Sequence, residues 1–208
     1  MKPYYEHAGI TIYHGDCFSD KNREIRVSRI WETVRPFSLL LTDPPYGIDL
    51  KRADIVGDQH PFNSGHLSCR PAIIWGANNF STQLPFGGWL CWDKRCSVEA
   101  DRMYGSAFEL AWCSEETKFK MFRCLHGGVV NADGANEKRF HPTQKPLALM
   151  KWCIGLFPDA ETIFDPYMGS GTTLLAAKDL GRRAIGIEIE EKYCEIAAKR
   201  LSQEVMSF

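Results

Sequence analysis

Thr162-Ile163-Phe164-Asp165-Pro166-Tyr167-Met168-Gly169-Ser170-Gly171-Thr172-Thr173-Leu174-Leu175 decides the fold of this chain. Its first four residues are the β-branched and aromatic run of a short buried strand. Gly169-Ser170-Gly171 then interrupts the run with residues that let a backbone approach a ligand closely. Thr172 to Leu180 has helical spacing and stops at Gly181, the C′ position where a left-handed residue is favoured. Ala184 to Ile189 reads as a second strand, and Glu190 to Val205 as a helix with acidic residues in its first turn. Strand, helix, strand, helix in this order predicts a parallel sheet with right-handed crossovers. The expected class is a three-layer α/β fold.

Upstream the signals are shorter. Leu147 to Phe157 predicts an amphipathic helix between Pro146 and Pro158. Phe37 to Thr42 is an apolar run stopped by Asp43-Pro44-Pro45, which fits a strand buried on both faces. Thr11 to His14, Ala72 to Trp75, Trp89 to Trp92, Glu109 to Trp112 and Phe119 to Leu125 read as further strands. Residues Ile25 to Val34 have partial helical spacing. Gly47 to Arg70 and the Gly/Asn/Asp-rich Gly127 to His141 read as loop.

Two segments carry chemistry. Asp43-Pro44-Pro45-Tyr46 ends a predicted strand, and open α/β sheets bind ligands at the carboxyl ends of their strands. The exocyclic amine of a nucleobase is a poor nucleophile, because its lone pair is delocalised into the ring. A carboxylate and a backbone carbonyl that accept its two N–H bonds localise that pair and aim it. Asp43 can supply the carboxylate and Pro44 the carbonyl. Prolines at 44 and 45 hold φ at about −65° and remove competing donors. Tyr46 offers a flat face for an extruded base, worth roughly 1–3 kcal/mol. Taken alone, the tetrapeptide also fits a proline-rich turn that merely ends a strand.

The second segment is the glycine turn, Asp165 to Thr173. It is not a phosphate loop, because no lysine follows Gly171, and it lacks the last glycine of the dinucleotide fingerprint. Glu188, at the end of the next strand, can bind both hydroxyls of a ribose. A ribose-bearing cofactor without a pyrophosphate fits S-adenosylmethionine better than NAD.

Composition narrows the class. A chain of 208 residues that is 44% hydrophobic suffices for one packed domain. No apolar stretch approaches the roughly 18 residues of a membrane span, and Met1 to Tyr13 lacks the apolar core of a signal peptide. The expected location is the cytoplasm of a bacterial or phage-infected cell. Cys17, Cys69, Cys91, Cys96, Cys113, Cys124, Cys153 and Cys194 form no Cys-x-x-Cys pair, so buried reduced thiols are expected and no metal site. The net charge of −1 argues mildly against a nucleic-acid partner. Its distribution is uneven, however. Lys94, Arg95, Lys118, Lys120, Arg123, Lys138 and Arg139 crowd the middle of the chain, as DNA contacts or as ordinary solvated loops.

With these segments in view, the chain resembles the β-class amino-methyltransferases of DNA, which place Asp-Pro-Pro-Tyr early and the cofactor turn late. His141-Pro142-Thr143-Gln144-Lys145-Pro146 is a specific hexapeptide of that family. Trp75-Gly76-Ala77-Asn78, Gly88-Trp89-Leu90-Cys91-Trp92-Asp93-Lys94 and Gly186-Ile187-Glu188 look like its small phage- and prophage-type members. The resemblance covers nearly the whole chain. It implies a Rossmann-like S-adenosylmethionine-dependent fold with circularly permuted motifs and a mostly parallel sheet.

For individual residues, the resemblance implies that Asp43, Pro44, Pro45 and Tyr46 form the base pocket. Asp165, Pro166, Tyr167, Gly169, Ser170, Gly171 and Thr172 would hold the methionine and adenosine parts of the cofactor, with Glu188 on the ribose. Tyr167 stands where relatives commonly have Phe. His141, Thr143 and Lys145 would line the methionine end, and Asp16 would approach the adenine, unless it is simply an acidic turn residue. The expected organisation is a single domain: residues 1–113 as catalytic half, 114–140 as a short DNA-recognition insert, and 141–208 as cofactor half.

Ile48 to Arg70 is shorter and less regular than the resemblance leads one to expect, and no separate target-recognition domain is visible. Phe119, Phe122 and Phe140, with the basic residues, are the candidates for DNA contact. A short recognition site, a partner subunit or a homodimer would compensate. Asp at position 43, rather than Ser, leans toward N6 of adenine over N4 of cytosine. C5 chemistry lacks its Pro-Cys dipeptide, and glutamine-directed relatives carry Asn first in the tetrapeptide. A catalytically silent DNA- or cofactor-binding module is the alternative from another class.

Overall fold

The computed structural model describes residues 2–17, 36–47, 56, 71–95, 106–115, 119–124, 126–127, 130–131, 140–141 and 143–203. The chain forms two compact units. One comprises Met1–Thr42 with Phe140–Phe208, the other Asp43–Arg139.

The first unit contains β1 (Tyr5–His7), β2 (Ile10–His14) and β3 (Leu39–Thr42) from the start of the chain. Its later elements are α1 (Leu147–Gly155), β10 (Thr162–Asp165), α2 (Thr172–Asp179), β11 (Arg183–Glu188) and α3 (Glu191–Ser202). Its strands lie in the order β1-β2-β11-β10-β3. All pairs are parallel except β1 with β2, so Phe164 stands between Leu40 and Ile185. Every residue of β3 and β10 is buried, as a parallel sheet covered on both faces requires. The α2 helix packs on β10 and β11, α3 on β2 and β11, and α1 lies against α2. This is the expected α/β arrangement, built through the β10–α2–β11 crossover.

Helix boundaries follow local chemistry. The α2 helix closes in a Schellman motif: Arg182 N–H donates to Ala177 O (2.8 Å), Gly181 N–H donates to Lys178 O (3.0 Å), and Gly181 has φ 67°. The α1 helix stops at Gly155 rather than Phe157, its last two expected residues tightening into i→i−3 bonds before Pro158. It is also less amphipathic than expected. Lys151 is its one charge, and that charge is paired with Asp179 of α2 at 2.6 Å.

The second unit contains β4 (Ala72–Trp75), a 3₁₀ helix (Ala77–Gln83), β5 (Gly88–Asp93), β6 (Phe108–Cys113) and β7 (Lys120–Arg123). Its strand order is β4-β6-β5-β7. Here the sheet is mixed: β6 runs antiparallel to both β4 and β5, and only β5 with β7 is parallel. The β5 strand, expected over Trp89 to Trp92, extends by one residue at each end and alternates in burial, with Trp89, Cys91 and Asp93 half-exposed. The segment expected to be irregular after Gly127 includes a small hairpin, β8 (His126–Gly127) with β9 (Val130–Asn131). The helix expected over Ile25 to Val34 and most of the loop over Gly47 to Arg70 lie outside the described residues.

Cys17, Cys113, Cys124, Cys153 and Cys194 are buried thiols, while Cys91 is half-exposed; Cys69 and Cys96 lie outside the described residues. No described helix is long and apolar enough to cross a membrane.

Candidate active site

In the first unit, the carboxyl ends of β2, β10 and β11 converge on the glycine turn. Parallel pairing sets Glu188 beside His14, and Gly15 N–H donates to Glu188 O at 2.9 Å, so the Gly15-Asp16-Cys17 turn adjoins the end of β11. Asp16 itself is exposed. Cys17 is buried and hydrogen-bonded to the Tyr167 hydroxyl, a bond that phenylalanine at position 167 would lack. Burial pushes both the thiol and the phenol up, so neither serves as a base or a thiolate nucleophile near neutral pH.

Asp165 is buried at the end of β10. One carboxylate oxygen accepts the Thr42 hydroxyl (2.7 Å) and the Tyr167 N–H (3.1 Å). Thr42, the last residue of β3, thereby ties that strand to the turn. Nothing in the sequence marked it, since its partner lies 123 residues away.

Glu188 is the second buried carboxyl of the site. One oxygen accepts the Gly169 N–H (3.0 Å) and the other the Glu190 N–H (2.8 Å). Burial pushes its carboxyl above the usual glutamate range, and those two donors oppose the shift without cancelling it. Pro166 is buried beside Asp165, and Met168 N–H donates to Ile187 O (3.1 Å), laying the turn along β11.

The hexapeptide segment packs on the same turn. The His141 ring lies against Gly169, where an added Cβ would stand 3.5 Å from it, and meets the Tyr193 ring edge-on at 4.5 Å. Thr143 N–H donates to His141 Nδ1 (3.3 Å), and its hydroxyl lies 3.1 Å from the same nitrogen. Lys145 is buried, as is Gln144, whose Oε1 accepts the Ser170 hydroxyl (3.0 Å) and the Phe140 N–H (3.0 Å). The Ser170 and Thr172 hydroxyls both face Arg200 Nη1, at 3.2 Å each. Their side chains are thus engaged in holding the turn. Phe140, a candidate for DNA contact, is half-exposed and lies beneath the Arg200 guanidinium at 5.2 Å.

The second unit holds Asp43-Pro44-Pro45-Tyr46. Pro44 is buried and the other three are half-buried. The Tyr46 hydroxyl donates to Asp43 Oδ1 at 2.6 Å. The Tyr46 ring lies against Gly76, which follows β4 with φ 68°; a Cβ there would fall inside the ring. Gly76 is itself fixed by its N–H to Leu110 O (2.9 Å) and by the Asn79 side-chain amide to its carbonyl (2.9 Å). The Trp-Gly-Ala-Asn segment thus supplies the floor under the tyrosine.

The basic residues divide. Lys94 pairs with Glu109 and sits 5.0 Å over the Trp92 ring. Arg95 is only 7% exposed, which removes its side chain from the open cationic surface. Arg123 is 64% exposed yet paired with Asp93 at 3.4 Å. Lys120 is exposed on β7 between Phe119 and Met121, which are also exposed. Lys118, Lys138 and Arg139 lie outside the described residues. Among the described residues no three His, Cys, Asp or Glu side chains are grouped to hold a metal.

A family model described as DNA methylase, of N6/N4 type, matches residues 93–199. The Type II methyltransferase M2.LlaDCHI of Lactococcus lactis subsp. cremoris is 47% identical over an alignment of 259 positions, covering 97% of this chain and 93% of that protein. M2.DpnII of Streptococcus pneumoniae is 51% identical over 65 residues, 31% of this chain, and there the chain spans only 24% of the relative's length. Among solved structures, the M1.HpyAVI–SAM complex is 25% identical with a TM-score of 0.55, over 93% of this chain and all of that one. PvuII DNA methyltransferase (cytosine-N4-specific) shares the fold, with a TM-score of 0.64 at 18% identity over 99% of this chain and 91% of the other.

Proposed function

This chain belongs to the family of N6/N4-type DNA methylases, and we propose that it methylates the N6 amino group of adenine in DNA with S-adenosylmethionine, on a base turned out of the helix. The observation that carries the reading is the Asp43–Tyr46 pair, a carboxylate held at 2.6 Å by a tyrosine whose ring rests on Gly76.

The first unit's residues fit the cofactor. A buried carboxylate, Glu188, ends a strand and accepts the Gly169 N–H of the glycine turn, a polar partner of the kind that lets such a group stay buried. Glu188 would take the ribose hydroxyls, Asp16 the adenine edge, and Asp165 to Gly171 with His141, Thr143 and Lys145 the remainder. When bound, S-adenosylmethionine would supply an electrophilic methyl group on a sulfonium, leaving as S-adenosylhomocysteine while the amine gives up one proton. The chain's part is orientation. Asp43 and the Pro44 carbonyl accept the two N–H bonds of the target amine and draw its lone pair out of the ring. The Tyr46 ring stacks on the base, and its hydroxyl holds Asp43 in place until the amine arrives. Lys94, Lys120 and Arg123, with Lys118, Lys138 and Arg139, would meet DNA phosphates, and a homodimer would widen that surface.

Tritiated methyl transfer to unmethylated DNA, followed by nucleoside analysis, tests the reading. Label in N6-methyladenine is the expected product. Label in N4-methylcytosine would move the assignment to cytosine while keeping the mechanism, and no label in either would end it.

The raised Glu188 carboxyl gives a pH dependence with a definite sign. Between the ordinary glutamate value and the raised one, the folded free protein keeps a proton that the unfolded chain has lost. Stability of the free protein therefore falls as pH rises through that window. Cofactor affinity should rise through the same window, because the ribose hydroxyls need the anion. Titration calorimetry from about pH 5 to about pH 8 should show that rise, and Glu188→Gln should flatten it at weak affinity. A wild-type affinity independent of pH would remove Glu188 from the ribose.

A further inference from the structure

We propose that Arg200, in the last turn of α3, is a positioning residue that holds the cofactor turn ready for its ligand. The inference rests on the function proposed above and adds to it a residue that no motif contains.

Arg200 is 8% exposed. Its Nη1 donates to the Ser170 carbonyl at 2.6 Å and reaches the Ser170 and Thr172 hydroxyls at 3.2 Å. The shortest contact is therefore to the backbone of the turn itself. Ser170 passes the connection on, since its hydroxyl donates to Gln144 Oε1, which also accepts the Phe140 N–H. Phe140 in turn lies beneath the guanidinium. One side chain thus joins the hexapeptide segment, the glycine turn and the start of α2.

The rest of α3 acts with it. Tyr193, Ala197 and Arg200 stand at i, i+4 and i+7, on one helix face. Tyr193 meets His141, Ala197 stands 2.8 Å from where a Gly171 Cβ would be, and Arg200 binds Ser170. Ser170 lies between Gly169 (φ 50°) and Gly171 (φ 80°), so the turn would have much conformational freedom to lose on binding. Interactions formed beforehand remove that loss from the binding step. Burying a guanidinium is unfavourable unless its donors are satisfied. Arginine suits the task because its planar fork can serve several oxygens at once, where lysine presents a single point charge.

The test measures S-adenosylmethionine binding by calorimetry for wild type, Arg200→Met and Arg200→Lys, beside steady-state methylation with DNA and cofactor varied separately. Arg200→Met should weaken cofactor binding about tenfold and raise the cofactor KM to match, while kcat at saturation and the KM for DNA stay within about twofold. Arg200→Lys should recover part of the loss. Cofactor affinity in Arg200→Met equal to wild type would overturn the inference, as would equal losses in the methionine and lysine variants. Should Arg200→Met fail to fold, Arg200→Gln carries the test: about fivefold weaker cofactor binding with kcat unchanged supports the inference and unchanged binding overturns it. A wild-type protein that binds no S-adenosylmethionine would overturn the functional reading, and this inference with it; normal wild-type binding matched by Arg200→Met overturns this inference alone.

Discussion

Asp43→Ala should lower the rate of methyl transfer about a hundred- to a thousandfold while cofactor affinity stays within about twofold, the range seen when one preorganised polar contact to a reacting group is removed. The split is expected because Asp43 belongs to the base pocket, whereas the cofactor is assigned to residues of the other unit, 16 and 141 to 188. Asp43→Asn should lie between, since it keeps the shape and one acceptor oxygen but loses the charge. Tyr46→Phe removes the 2.6 Å hydrogen bond to Asp43 and keeps the stacking face, so it should cost far less than Asp43→Ala. Tritium transfer at saturating cofactor, with calorimetry alongside, reads both quantities. Equal rates for wild type and Asp43→Ala would sink the mechanism.

Gly76→Ala should be nearly as damaging, although position 76 holds no functional group. The left-handed backbone there costs a non-glycine residue about 1–2 kcal/mol. More important, the added methyl would occupy the space of the Tyr46 ring, and the backbone of Gly76 is pinned to Leu110 and Asn79 and cannot retreat. Tyr46 must move instead, and it would carry its hydrogen bond to Asp43 with it. A misplacement of about 1 Å at a reacting group can cost roughly a hundredfold in rate. We expect that loss in kcat/KM for DNA, a melting temperature a few degrees lower, and unchanged cofactor affinity. A variant with normal kinetics would show that the ring has other room, and would remove Gly76 as the floor of the pocket.

Much of the first unit is legible in the sequence. The β10 strand occupies the residues read for it, and Gly181 closes α2 with the hydrogen bonds its position implied. These features depend on neighbours in the chain: side-chain branching, the period of apolar positions, a left-handed residue after a helix. The two motifs were legible for a related reason, because a proline pair and a glycine turn restrict or free the backbone wherever they occur.

Other features were not legible. The β6 strand lies between β4 and β5, and a period of two in the side chains looks the same whatever the order of strands. Arg95 reads as one more cation in a basic segment, and only packing makes it a buried one. Phe140, grouped by composition with the aromatic candidates for DNA, belongs to the clamp beneath Arg200. Tyr167 stands where relatives commonly have Phe, and only packing gives its hydroxyl a partner in Cys17.

The opening stretch shows both sides of the division. By itself the sequence determined where the strand ends, where the backbone turns and where the next helix starts, because steric restriction and periodicity act over a few residues. It also placed a carboxylate at the end of each motif strand. Only the tertiary structure decided what those groups are bonded to. Thr42 reaches Asp165, Glu188 reaches back to Gly169, and Arg200 engages Ser170 across 30 residues of chain. A buried polar atom must find a partner, but which atom it finds depends on how distant segments pack, and no local pattern carries that information.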